Sequence, residues 1–419
     1  MAKIAPLASY HYVKLGIKGE DLTDDLLASD LIGIRQTGFE DGNEIETETD
    51  EGHTGVGNLD MGSYRTTAES APSWEDKFRY GEGLEDYFYL LLGKYTKTTH
   101  SGATDVYDYH FEQDLSSENQ DNKADLPFAT IYNGFAKTET DARVFNNSML
   151  NELEINFSAD EAPTINPTFV SDYNNFNLVN PTRAFPATSY FAKAAHTQVF
   201  VGEVGAADAD MIPIDCFSEA SITINHNAES QSCHADEFGK NTKIMGAREA
   251  EGSITMPWLD SNANDPGTKL FETEYEAFNK YGHTVSEEIT HKQVWFKCNG
   301  GDIIRVSTSN TIGTGEKIVS QETVEEGGSE VTYYHISTGI PFECFIKCPD
   351  CEITNVESPK SGDEAKDLTM EFKILEKPTQ SYLTVDMTTF LEDLHIDNTG
   401  ISLDSLLPDT TEHPEFAGQ

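Results

Sequence analysis

The chain is expected to be mainly β, an antiparallel β-sandwich or β-barrel with two flanking helices. Two observations predict this. Most of the hydrophobic periodicity has period two. Leu153-Ile155-Phe157, Ile222-Ile224, Ile254-Met256-Trp258, Val294-Phe296-Cys298 and Leu368-Met370-Phe372-Ile374 each alternate with mostly polar residues, the mark of half-buried strands. Only two segments carry helical spacing. Leu84, Phe88 and Leu91 stand at i, i+4 and i+7 ahead of a stop at Gly93; Phe271, Tyr275 and Phe278 repeat the spacing between Pro266-Gly267 and Gly282. Helices are therefore expected over about 84–92 and about 268–281.

Both helices have the same surroundings. An acidic, Gly-rich stretch (44–62), the strand Ser63–Ala68 and a polar loop precede the first; a polar stretch (227–252), the strand Ser253–Met256 and the loop 260–267 precede the second. Strands follow each. The order of long loop, strand, helix and strands, seen twice at about half the chain length, predicts an internal duplication joined within 165–215. The expected division is 1–175, with a long hairpin over about 39–66, then 176–377, then a C-terminal arm 378–419. Phe390, Leu391 and Leu394 stand at helical spacing in that arm, among many Asp and Thr residues. This composition predicts a segment that orders against a neighbour.

The charge excludes one class of function. Of 419 residues, 73 are Asp or Glu and 28 are Lys or Arg, a net charge of −45. No two Lys or Arg residues are adjacent, so no basic footprint exists for holding nucleic acid through its phosphates. Adaptation to high salt is one source of such acidity, although Lys outnumbers Arg by 21 to 7, against the usual habit of salt-adapted chains. The opening Met1–Tyr10 has no apolar h-region, and no stretch reaches the roughly 18 apolar residues of a membrane span. A protein made inside a cell, with no membrane partner and reduced cysteines, is expected.

No catalytic constellation stands out, and neither an enzyme nor a cofactor is expected. Carboxylate pairs are unavoidable among so many acids, and Gly-x-Ser-x-Gly is absent. Gly55-Val56-Gly57 lacks the third glycine and following helix of a phosphate loop. Cys344-x3-Cys348-Pro-Asp-Cys351, with Cys298, has the residue types of a zinc site. Yet Phe342, Cys344, Ile346 and Cys348 share one strand parity, so a packed strand is the stronger expectation. Asp260-x-Asn262-x-Asn264 opens like a calcium loop, but Asp265 and Phe271 stand where Gly and Glu are required. A turn capping the second helix is expected there instead.

Phe39–Tyr95 runs through Leu59-Asp-Met-Gly-Ser-Tyr-Arg65 and Gly83-Leu-Glu-Asp-Tyr-Phe-Tyr-Leu-Leu-Leu-Gly93, and is followed by Ile131-Tyr-Asn-Gly134, Met149–Phe157, Ser221–Asn225, Gly246–Met256 and Cys351–Leu375. This order of features, covering about 35–376, resembles tail tube (major tail) proteins of long-tailed, non-contractile, siphovirus-type viruses of bacteria or archaea. The resemblance implies a structural virion protein with no catalytic site, whose subunits close a barrel in rings. The rings are trimeric (pseudo-hexameric) if the duplication holds, otherwise hexameric. Rings would stack into a hollow conduit for DNA ejection, assembled in the host cytoplasm beside tape measure, tail terminator and distal tail proteins. An acidic bore would let DNA pass without binding it. The hairpin residues Phe39, Glu44, Glu46, Glu48, Asp50 and Glu51 would contact the ring below. Another β-rich virion component (capsid decoration, sheath or baseplate) or an acidic carbohydrate-binding β-sandwich are the alternatives.

Overall fold

A computed structural model describes residues 11–17, 33–34, 37–49, 63–103, 105–115, 126–135, 142–172, 175–177, 190–231, 242–258, 266–280, 290–326, 328–357 and 366–394. In chain order the strands are β1 (His11–Ile17), β2 (Gly33–Ile34), β3 (Thr37–Glu40), β4 (Glu44–Thr49), β5 (Ser63–Ser70), β6 (Ser73–Lys77) and β7 (Arg79–Tyr80). Helix α1 (Leu84–Leu92) leads to β8 (Gly93–Thr99), β9 (Tyr107–Gln113), β10 (Ala129–Phe135), β11 (Ala142–Ser158), β12 (Thr164–Asp172) and β13 (Asn175–Asn177). Then come β14 (Tyr190–Phe191), β15 (Thr197–Glu203), β16 (Ile212–Pro213), β17 (Glu219–Asn225), β18 (Glu229–Gln231), β19 (Thr242–Ile244) and β20 (Glu249–Trp258). Helix α2 (Pro266–Lys280) precedes β21 (His291–Ser307), β22 (Lys317–Glu326), β23 (Ser329–Glu357), β24 (Lys366–Ile374) and β25 (Thr384–Thr389). The chain is mainly β, with two α-helices among the described residues.

Two antiparallel layers organise these strands. One runs β3–β6–β12–β11–β17–β20–β24–β23. The other runs β16–β15–β21–β23–β25–β9–β8. The long β23 belongs to both, pairing with β25 over Glu343–Lys347 and with β24 over Cys351–Glu357. The layers meet face to face where Phe157 of β11 stacks on Phe296 of β21 at 5.0 Å. Alternation drives this packing, since every second residue is buried in Leu153–Phe157 of β11, Ile165–Phe169 of β12, β17 and β24. Farther out, β21, β22 and β23 form a projecting ribbon that exposes Val306, Val319 and Val324.

The sequence assigns α1 one apolar stripe, but the structure buries every residue of it, Glu85 and Asp86 included. The helix packs against β8, β9 and β11, with Phe88 facing Phe78 and Phe111 at 6.3 and 6.2 Å. Gly83 and Gly93, both left-handed (φ 104° and 84°), delimit it, and the Gly93 N–H closes on the Tyr89 carbonyl. Glu85 turns back to accept the Gly81 N–H at 2.9 and 3.0 Å. Burial nevertheless raises its pKa to about 7.

That shift has a definite sign. Below the ordinary carboxylate range Glu85 is protonated in folded and unfolded chains alike, and burial costs nothing extra. Between pH ~4.5 and ~7 the unfolded chain ionises first, so stability falls as pH rises, by up to about 3 kcal/mol. Asp76, beside Arg79, is also raised to about 7 by burial and adds to the same slope. Glu85→Gln should therefore stabilise the fold by about 1–3 kcal/mol at pH 8 and flatten the pH 5–7 slope. Denaturant melts across pH would measure this, and an unchanged slope would count against a buried ionising Glu85.

The segment read as a C-terminal arm begins inside the fold. β25 inserts between β9 and β23, Leu391 and Leu394 are buried beside it, and Phe390 packs on Phe342 and Tyr190. The alternation Val385, Met387, Thr389 supplies the buried face; the helical spacing of Phe390, Leu391 and Leu394 does not become a helix. Among the described residues no helix is long and apolar enough to cross a membrane.

Candidate functional site

The eight-stranded layer is built from one pattern used twice. β3, β6, β12 and β11 stand in the same order and connection as β17, β20, β24 and β23. In each set a hairpin (β4–β5 or β18–β19) rises between the first two strands, and a helix follows the second. The third and fourth strands match residue by residue. β11 pairs Leu150 with Phe169 and β23 pairs Ile353 with Phe372, each 203 positions on (150 to 353, 169 to 372). A register shift occurs at the same place in both, between Leu150 and Glu152 and between Ile353 and Asn355. Such shifts insert one extra residue and rarely coincide by accident. The sets are joined edge to edge by β11 and β17, from Glu152–Asn225 to Ser158–Glu219.

A sequence signal for this repeat was missed. Ser158-Ala-Asp-Glu-Ala162 joins β11 to β12, and Ser361-Gly-Asp-Glu-Ala365 stands the same 203 positions on (158 to 361) between β23 and β24. Residues 361–365 lie outside the described residues.

One face of this layer packs on the core through Leu153, Ile155, Phe157, Ile222, Ile224, Ile254, Met256, Leu368 and Met370. The opposite face is mostly polar. Cross-strand hydrogen bonds lace it: Asn166 Nδ2 to Glu154 Oε2 at 2.9 Å, Asn225 Nδ2 to Glu152 Oε2 at 2.6 Å and Asn355 Nδ2 to Glu371 Oε2 at 3.3 Å. Ser221 meets Ser253 at 2.9 Å, and Thr255 meets Thr369 at 3.1 Å. Glu75, Glu219, Glu249, Glu251 and Glu357 add exposed carboxylates, against the exposed ammonium groups of Lys77 and Lys373. The arrangement is a wide, smooth, acidic surface of amides, hydroxyls and carboxylates.

The hairpin residues of the sequence analysis fall in different places. Phe39 lies on β3, half-buried, stacked on Trp74 at 5.9 Å and tilted against Phe145 at 5.8 Å. Glu44, Glu46 and Glu48 lie on β4, opposite Glu69, Thr67 and Tyr64 of β5. Asp50 and Glu51 lie outside the described residues, as do Asp260, Asn262, Asn264 and Asp265. Cys298, Cys344, Cys348 and Cys351 are buried free thiols of β21 and β23, with Cys298 opposite Cys344 in register. Burial raises the Cys298 thiol to about 12 and pushes Cys344 and Cys351 well above the ordinary thiol range. Among the described residues no group of three or more His, Cys, Asp or Glu is arranged to hold a metal ion.

A family model described as phage tail tube protein matches residues 19–321. The chain belongs to the phage tail tube family. No curated protein matches it in sequence. The family match ends inside β22, so β23, β24 and β25 of this tail tube protein lie beyond it. The tail tube family makes the chain a structural component of a phage tail.

Proposed function

We propose that this tail tube protein carries two tandem tube units, 1–175 and 176–377, and that three copies close a pseudo-hexameric ring whose inner wall is the eight-stranded layer. The observation that supports this is the edge-to-edge join of two like sets of four strands at β11 and β17. Within the chain one unit already meets the next as neighbours in a ring must. Among the described residues β3 pairs only with β6, leaving an edge that ring closure would cover. Three copies of eight strands, at about 4.8 Å spacing and a 35–45° tilt, give a barrel roughly 45–50 Å across the backbone. That is room for a DNA duplex.

The polar face then lines the bore. DNA carries about one negative charge per 1.7 Å, so a wall of fixed carboxylates and hydroxyls offers no footing for its phosphates. DNA passes during ejection without being held. The β4–β5 hairpin beyond Glu44, with Glu46, Glu48, Asp50 and Glu51, reaches toward the adjoining ring of a siphovirus-type tube, and the tube's ends meet the tape measure, tail terminator and distal tail proteins.

Negative-stain microscopy of the purified chain across a range of salt tests this. At −45 per copy self-repulsion opposes polymerisation and is screened as ionic strength rises. Hollow tubes of uniform width should form at high salt, with three copies per ring by mass. Compact particles at every salt would favour a capsid-decorating or baseplate role.

A further inference from the structure

We infer that ring closure brings the Asn355–Glu357 end of β23 of one copy against Gly42–Glu44 of the next in the register that β11 and β17 use within a chain, so that Asn355 of one copy donates to Glu44 of its neighbour. This deepens the ring proposal and rests on it.

The repeat assigns the residues. Asn225 of β17 faces Glu249, and Ala220 faces Ile254. In the first unit Glu44 faces Glu69, and Phe39 faces Trp74. Each first-unit residue stands 181 or 180 positions before its counterpart (44 to 225, 69 to 249). Glu44 is thus the counterpart of Asn225. By the matched register shifts, Asn355 is the counterpart of Glu152. Inside the chain Asn225 and Glu152 face each other, with the amide donating to the carboxylate at 2.6 Å. Between copies the counterpart pair is Glu44 with Asn355. The same amide and carboxylate meet with their sides exchanged, and the same hydrogen bond results.

Two further observations fit. Glu44 is exposed and directly opposite Glu69, a like-charge pair that an amide donor from outside would relieve. The β3–β4 edge is also bent by left-handed glycines, Gly38 (φ 80°) and Gly42 (φ 56°), with a register shift beside Gly38. β17, whose edge is covered inside the chain, has no glycine between Glu219 and Asn225. Bends of this kind keep an open edge from indiscriminate strand addition, leaving it to a partner of matching shape.

The test is a chain carrying Glu44→Cys and Asn355→Cys, assembled into tubes and oxidised. Directly opposed residues have Cα atoms about 4.5–5.5 Å apart, within disulfide range. Non-reducing gels should show a covalent ladder that stops at three copies, with none from either single-cysteine chain, which also controls for the exposed Cys216. In a second arm, Asn355→Glu should abolish tubes at salt concentrations where the unaltered chain forms them, and adding Glu44→Asn should restore them. Tubes without the ladder, or Asn355→Glu tubes like the unaltered ones, would overturn this pairing while leaving the ring intact. No rings from the unaltered chain would overturn both.

Discussion

Replacing Lys243 by methionine destabilises the fold by about 3–5 kcal/mol, the usual cost of removing one partner from a buried ion pair. Lys243 sits on β19 with its side chain 1% exposed, and its Nζ lies 2.7 Å from Asp172 Oδ1 at the end of β12. Asp172 Oδ2 also accepts the Asn147 amide at 2.7 Å. Methionine fills the space of the lysine stem but leaves a buried carboxylate without its ammonium. The pair ties the β18–β19 hairpin to the end of β12, so the loss falls on the contact between these two elements. The double variant Lys243→Met, Asp172→Asn should recover most of the stability, because it removes the stranded charge. Urea melts at neutral pH measure both. A loss below about 1 kcal/mol would mean that the pair is solvated and worth no more than a surface bridge.

With the polar face lining the bore as proposed, reversing two of its acids, Glu75→Lys and Glu251→Lys, should give tubes that retain DNA. The substitutions place one ammonium on an exposed position of β6 and another on an exposed position of β20. Tubes of this variant should hold duplex fragments protected from nuclease at about 50 mM salt and release them steeply by about 200 mM, as phosphate-bound counterions are exchanged. Unaltered tubes should retain none. If the variant tubes assemble and still hold no DNA, this face does not line the bore.

Much of the fold is legible in the sequence because alternation is a local signal. Leu153-Ile155-Phe157 and Leu368-Met370-Phe372-Ile374 become β11 and β24 with those residues buried. The spacing of Leu84, Phe88 and Leu91, closed by Gly93, becomes α1. Total burial of α1 was not legible, since it depends on packing against β8, β9 and β11, which only the fold brings around the helix. The strand β25 was obscured for the same reason. Thr384–Thr389 is half polar, and only its seat between β9 and β23 makes it structural. The cysteine strand was half legible: parity gives its buried face, while the opposition of Cys298 and Cys344 is a matter of register.

The candidate site was the least legible part. A strand's pleat yields two faces, and nothing local says which one a second layer will cover. By itself, the sequence determined the β class, the two helices, the acidity that excludes phosphate binding and the family resemblance, because composition and short-range periodicity carry all four. Only the tertiary structure decided that Glu152, Glu154, Glu251 and Glu371 share one polar surface, and that two sets of four strands meet at β11 and β17. Those facts rest on hydrogen-bonded register between segments as far apart in sequence as Glu251 and Lys373. Register is fixed by which faces find a common core, and the core exists only once the chain has folded.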